Sequence, residues 1–156
     1  MKKFFLQASL LLFALLLASC SSKEETENLK VGEKRDIKDN EGQVIGQYEQ
    51  ISATEGVYRI DQNRDGAHEK SIHLKEGKIR SVDYDPDQNG IVDKSVVYEN
   101  DEPVRVIMFS KKEQSVLGIG NVQKNRIVSV DLPGRNKRVY FAEDGSVSRI
   151  ETLAAK

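Results

Sequence analysis

Apolar residues in most of this chain come in short runs, each closed off by a cluster of Gly, Asn, Asp, Pro or Ser. From Lys34 onward no window holds an apolar stripe at three-and-four spacing, the mark of an amphipathic helix. The turn clusters recur at hairpin intervals: Asp39–Gly42, Ala53–Gly56, Asp61–Gly66, Lys75–Gly77, Asp85–Gly90, Glu99–Glu102, Ser110–Gln114, Gly120–Asn125, Pro133–Asn136 and Glu143–Gly145. Between them the pattern predicts about eleven strands. Gly, Asn and Asp suit these turns because tight hairpin loops need positive φ.

Two kinds of strand alternate. One shows plain period-two alternation, as in Ile72 and Leu74, Val96 and Tyr98, or Val139 and Phe141. The other carries an apolar pair spaced by three: Val57 and Ile60, Ile79 and Val82, Val104 and Ile107, Ile127 and Val130, Val147 and Ile150. These copies lie 22, 25, 23 and 20 residues apart. A step of three on a strand changes face, so each pair predicts a β-bulge or a short side-switch. One strand of each kind makes a repeating two-strand unit. The fold class expected is therefore all-β, an antiparallel meander. A flat sheet of this length leaves an apolar face in water, so the expected form is a curled sheet, a sandwich or a partly open barrel. Charges around Arg35 and Asp36 would protect a terminal edge.

Two of the turns are matched copies. Asp61–Glu69 reads DQNRDGAHE, and Asp85–Asp93, 24 residues on, reads DPDQNGIVD. Each has an acid at position 1, Asn or Asp at 3 and 5, Gly at 6 and an acid at 9, followed by Lys-Ser and an apolar residue. Calcium takes six to eight oxygen ligands at about 2.3–2.6 Å, and a short loop supplies them from alternate positions with Gly at the sharp turn. The candidate ligands are Asp61, Asn63, Asp65, the Ala67 carbonyl and Glu69 in loop one. In loop two they are Asp85, Asp87, Asn89, the Ile91 carbonyl and Asp93. No Cys or His cluster suits a softer metal, and magnesium wants a stricter octahedron. Arg64 places a cation inside loop one, which makes loop two the stronger candidate. His68 and His73 read as surface residues.

Domain organisation follows from the N-terminus. Lys2-Lys3 precedes an apolar run, Phe4–Ala18, that is shorter than the roughly 20 residues of a membrane span. Residues 1–19 therefore read as a signal peptide. Residues 20–33 have two apolar side chains, Leu29 and Val31, and read as a flexible tether. Residues 34–156 are the β-meander domain. The full chain has 24 basic and 25 acidic residues, and loss of Lys2 and Lys3 with the leader makes it slightly more acidic. No basic face for nucleic acid is present.

The run ends in Leu17-Ala18-Ser19-Cys20, which resembles the bacterial lipoprotein lipobox. The resemblance implies cleavage before Cys20, acyl chains such as palmitate on that residue, and a chain anchored to the membrane rather than spanning it. Cys20 is the only Cys, so no intrachain disulfide can form. Ser21 after the Cys implies, by analogy with the family, the outer membrane, at its periplasmic face or at the surface. The two loops resemble the first nine positions of an EF-hand. Position 12, a bidentate Glu there, is Ile72 in one and Val96 in the other, and the flanks are strand-like, so no helix–loop–helix switch is implied. The loops are similar to those of bacterial exported proteins in which D-x-[DN]-x-[DN]-G turns join β-strands. That resemblance implies calcium binding that stiffens the sheet.

Ser, Asp and His all occur, but without a nucleophile elbow or a paired-acid pattern. The expected function is thus a non-catalytic, lipid-anchored, calcium-stabilised structural or recognition module of the cell envelope, with a protein or glycan partner. An enzyme or enzyme-accessory domain using the bound cation is the alternative, and a plain scaffold without metal the third.

Overall fold

In the computed structural model residues 29–154 are described. The predicted leader, Cys20 and the first part of the tether lie outside the described residues. The chain from Val31 onward forms one compact unit.

Eleven strands follow one another: β1 Lys34–Lys38, β2 Val44–Gln50, β3 Glu55–Ile60, β4 Lys70–Lys75, β5 Lys78–Tyr84, β6 Lys94–Glu99, β7 Glu102–Phe109, β8 Val116–Gln123, β9 Arg126–Leu132, β10 Lys137–Phe141 and β11 Val147–Thr152. They form a single sheet in sequence order, with β1 and β11 at its two edges. The predicted all-β antiparallel meander is what the chain adopts. It is one open layer, not closed into a barrel and not folded into a second sheet. Gly120, expected in a turn, lies inside β8, and that turn narrows to Lys124-Asn125. At Gly32 and Glu33 the chain already pairs with β2: Gly32 N donates to Gln50 O at 2.7 Å, and Gln50 N donates to Glu33 O at 3.1 Å.

The hairpins at one end of the sheet are sharp. Glu76-Gly77, Asn100-Asp101 and Lys124-Asn125 each place both central residues at positive φ, between 49° and 73°. Such two-residue turns match the right-handed twist of the strands they join.

The three-residue spacing is largely explained by bulges. Leu74 pairs with Ile79 while His73 pairs with Ser81, which leaves Arg80 as the extra residue in β5. In the same way Val128 is extra in β9 and Ser148 in β11. The bulge returns Ile79, Ile127 and Val147 to the face that carries Val82, Val130 and Ile150. In β7 the extra residue is Val104 itself, so the equivalent pair is Pro103 and Val106, one residue earlier than the spacing predicted. Val57 and Ile60 have no bulge between them, and they point to opposite faces.

On one face the register aligns a continuous row across ten strands. Tyr48, Tyr58, Ile72, Val82, Val96, Val106, Gly120, Val130, Val139 and Ile150 are successive cross-strand partners. Ile72, Val82, Val96 and Val106 are buried although no second layer among the described residues covers them. The cover comes sideways, from neighbouring residues on the same face. Tyr84, Tyr98 and Ile127 pack against Val96, Val106 and Val122, and the Lys94 ammonium sits 4.1 Å from the centre of the Tyr84 ring. Burial lowers the pKa of Lys94 and of Lys70. Both are long side chains that lay their stems on apolar surface. Tyr48 and Tyr58 pack with ring centroids 4.8 Å apart and planes tilted by 49°. This lateral shielding keeps the row out of water although the meander stays open.

Candidate metal-binding loops

The loops after β1, β3, β5, β7 and β9 share the end of the sheet opposite the sharp hairpins. Loop one (after β3) and loop two (after β5) are therefore neighbours, and backbone bonds stitch them together. Glu69 N donates to Ile60 O at 3.0 Å, and Glu69 O accepts from Asp85 N at 2.9 Å. One repeat on, Asp93 N donates to Tyr84 O at 2.8 Å, and Asp93 O accepts from Phe109 N at 3.0 Å.

Inside the loops the position-1 acids do the same work. Asp61 accepts from Asp65 N at 3.2 Å and from Gly66 N at 2.9 Å. Asp85 accepts from Asn89 N at 3.3 Å and from Gly90 N at 2.8 Å. Position 4 is left-handed in both, Arg64 at φ 64° and Gln88 at φ 54°, and so is position 6, Gly66 at 92° and Gly90 at 81°. At position 6 only Gly takes that backbone without strain. The two copies thus share a backbone conformation as well as a sequence.

The side chains differ in where they point their charge. In loop one Glu69 accepts from the backbone N–H of Gln62 at 2.9 Å and of Asn63 at 3.3 Å, while Asp65 accepts from Ala67 N and from the Asn63 side chain. The Arg64 guanidinium does not enter this ring. It reaches to Asp39 of the β1–β2 turn, 2.5 Å away, and donates to Gln43. The expected cation inside loop one is therefore absent from it, and it is loop two that holds one. There the Lys111 ammonium, from the β7–β8 loop, lies 2.7 Å from Asp87 Oδ2 and 3.2 Å from Asp93 Oδ2. The Lys111 hydrogen bond is the main cause of a lowered Asp87 pKa. The other Asp93 oxygen, Oδ1, is buried with no hydrogen-bond partner.

The structure thus keeps each candidate set on its own loop, with the Ala67 and Ile91 carbonyls in the same two turns. Among the described residues, no three His, Cys, Asp or Glu side chains gather closely enough to hold a metal ion. The donor chemistry still suits calcium. All donors are oxygens, and in loop two a cationic ammonium already bridges positions 3 and 9 beside an unsatisfied carboxylate oxygen. From the sequence Lys111-Lys112 reads as a small basic cluster on a solvated turn, not as a partner of loop two. The 24-residue period finds it, because it stands one period after Asp87. The β7–β8 loop thus lends a cation to loop two.

On the polar face His73 Nε2 lies 3.0 Å from Asp83 Oδ2. Asp83, Arg80, Ser95, Val92 and Phe109 help to line an open groove of about 400 Å³ beside loop two. No described helix is long and apolar enough to cross a membrane.

No protein-family model matches the chain, and no curated protein matches it. Among solved structures it is similar to one described as the crystal structure of GtfA/B complex, with a TM-score of 0.52 and 12% identity. The match covers 90% of this chain and 23% of that one, so this chain spans less than a quarter of the other's length. At that identity the likeness is one of fold.

Proposed function

We propose that this open β-meander is a non-catalytic module of a bacterial cell envelope, tethered through lipid on Cys20 and stiffened by calcium bound at the Asp61–Glu69 and Asp85–Asp93 loops. The supporting observation is the duplication of one loop, in sequence and in backbone, on adjacent hairpins of a single-layer sheet. Such a sheet has no second layer and no disulfide to fix its loop end. A divalent cation drawing position-1, 3, 5 and 9 oxygens together in each loop would pin strands β3 to β6. In loop two it would displace the Lys111 ammonium and satisfy Asp93 Oδ1. The wide polar face, with its groove beside loop two, is then the surface offered to a protein or glycan partner. The lipobox resemblance of Leu17–Cys20 supports the anchor and the envelope location, including the outer membrane.

Calcium that binds only the folded chain raises its stability, by about 1.4 kcal/mol at ten times the dissociation constant. The test is thermal unfolding with increasing calcium. A melting temperature that climbs over the millimolar range supports the proposal, and one that stays flat to about 10 mM, well above the affinity of extracellular calcium modules, ends it. The anchor is tested separately by the mass of the mature protein, which should carry acyl chains on Cys20 and lose them in Cys20→Ser. A second reading draws on the groove that adjoins loop two, where a bound cation could polarise a substrate. Calcium-dependent hydrolysis of a supplied glycan would favour it.

A further inference from the structure

We propose that β11 is a self-pairing edge, through which two copies of this chain join their sheets about a twofold axis at Ile150. The proposal rests neither on calcium nor on the lipid anchor. Strand β11 pairs with β10 alone. All six of its residues are exposed, and Val147 and Ile150 are more than half exposed. The other edge, β1, reads Lys-Arg-Asp-Ile-Lys, and a charged edge of that kind resists pairing. The β11 sequence, Val-Ser-Arg-Ile-Glu-Thr, carries a single charge of each sign.

The direction of the free backbone groups fixes how a second strand could add. Leu153 N donates to Asn136 O at 2.7 Å, toward the β10 side. Backbone groups alternate along a strand, so those of Arg149 and Glu151 also face β10. Those of Ile150 and Thr152 face outward, free to pair. An antiparallel second copy centred on Ile150 uses these free groups. It sets Ile150 against Ile150 of the second copy, Arg149 against Glu151, and Ser148 against Thr152. Arg149 and Glu151 then form a close cross-strand pair of opposite charge on each side of the axis, the arrangement that stabilises paired strands. The two already bridge within one strand at 3.3 Å, with side chains 63% and 46% exposed, and both also contact Tyr140 of β10, so pairing with a second copy turns them outward from that ring.

Charge also selects the register. The nearest slides that still use the outward groups place Arg149 against Arg149 or Glu151 against Glu151, both repulsive. Pairing at Ile150 carries the apolar row of Val130, Val139 and Ile150 straight into the second sheet. The contact is short, and the Ser148 bulge bounds its regular part, so the dimer is of the weak, reversible class. A twofold contact of this kind closes on itself and leaves only the two charged β1 edges exposed.

The test is sedimentation of the purified chain at concentrations up to about 1 mM, with far-ultraviolet circular dichroism to confirm that each variant is folded. The wild-type chain should shift from monomer to dimer. Glu151→Arg, which sets Arg against Arg across the axis, should raise the dimer dissociation constant at least tenfold, as for a lost close charge pair. The double swap, Arg149→Glu with Glu151→Arg, restores opposite charges and should restore the dimer. A wild-type chain that stays monomeric overturns the proposal. So does a dimer that Glu151→Arg leaves intact, or a double swap that stays monomeric like the single variant.

Discussion

Val96→Ala tests whether a single-layer sheet can hold a core. Val96 is 3% exposed and packs against Val106, Val122, Tyr84, Tyr98 and Ile127. The change removes two methyl groups, and at about 0.8 kcal/mol each the lost transfer energy is about 1.6 kcal/mol. A sealed cavity would add more. Here the gap opens toward the same-face neighbours, whose long side chains can settle into it, so the expected total is about 1.5–2.5 kcal/mol. For a domain of this size that lowers the melting temperature by roughly 5–12 °C. Val147→Ala is the matched control: the same atoms are removed where the side chain is 57% exposed, and the cost should stay within about 0.7 kcal/mol. Urea unfolding of the three proteins, at constant slope, gives both values. If Val96→Ala costs no more than Val147→Ala, the aligned row is not a core, and the lateral cover by Tyr84, Tyr98 and Lys94 is wrong.

Three further outcomes follow from other parts of the fold. Gly46→Ala would put a Cβ 2.2 Å from the Arg59 carbonyl oxygen, a backbone atom of the neighbouring strand, so urea unfolding should show a loss of about 1–3 kcal/mol. The Asp131 carboxyl is held below its ordinary pKa, first by its hydrogen bond to Arg138. That pair therefore contributes stability that is fully present above the unfolded carboxylate pKa of about 4 and is lost as pH falls through the lower folded value. Asp131→Asn should accordingly flatten the acid limb of the stability–pH curve and leave its neutral shape alone. Lys111→Met removes the ammonium between Asp87 and Asp93, so a calcium titration should reach its midpoint at lower concentration in loop two, with loop one unchanged. An unaltered midpoint would mean that Lys111 does not compete with the metal.

The meander was legible in the sequence because turn chemistry and strand period are local. Glu99–Glu102 and Gly120–Asn125 declare turns, though not that each closes on two residues, and the three-residue step from Ile79 to Val82 declares a bulge or side-switch. The open single layer was not legible. It involves Lys94 lying over the Tyr84 ring and Lys70 partly buried beside it, and no period records that. The two matched loops were legible as a repeat, but their ion pairing was not. Arg64 could be placed in loop one by number, yet its side chain is long enough to leave for Asp39. Lys111 looked like a solvated turn residue because its partners, Asp87 and Asp93, are far from it in sequence. They come within reach only when consecutive hairpins stack at one end of the sheet.

The most direct measurement is an amide NMR titration with calcium, following Gly66 and Gly90, whose N–H groups both bind the position-1 carboxylate of their loop. Gly145, in the β10–β11 turn at the other end of the sheet, serves as the internal control. If the duplicated loops are the cation sites, both Gly66 and Gly90 move and saturate in the millimolar range expected of extracellular modules, while Gly145 stays fixed. If Gly66 and Gly90 hold their positions to about 10 mM calcium, a concentration well above that range, the loops are hairpin turns and the calcium function is wrong.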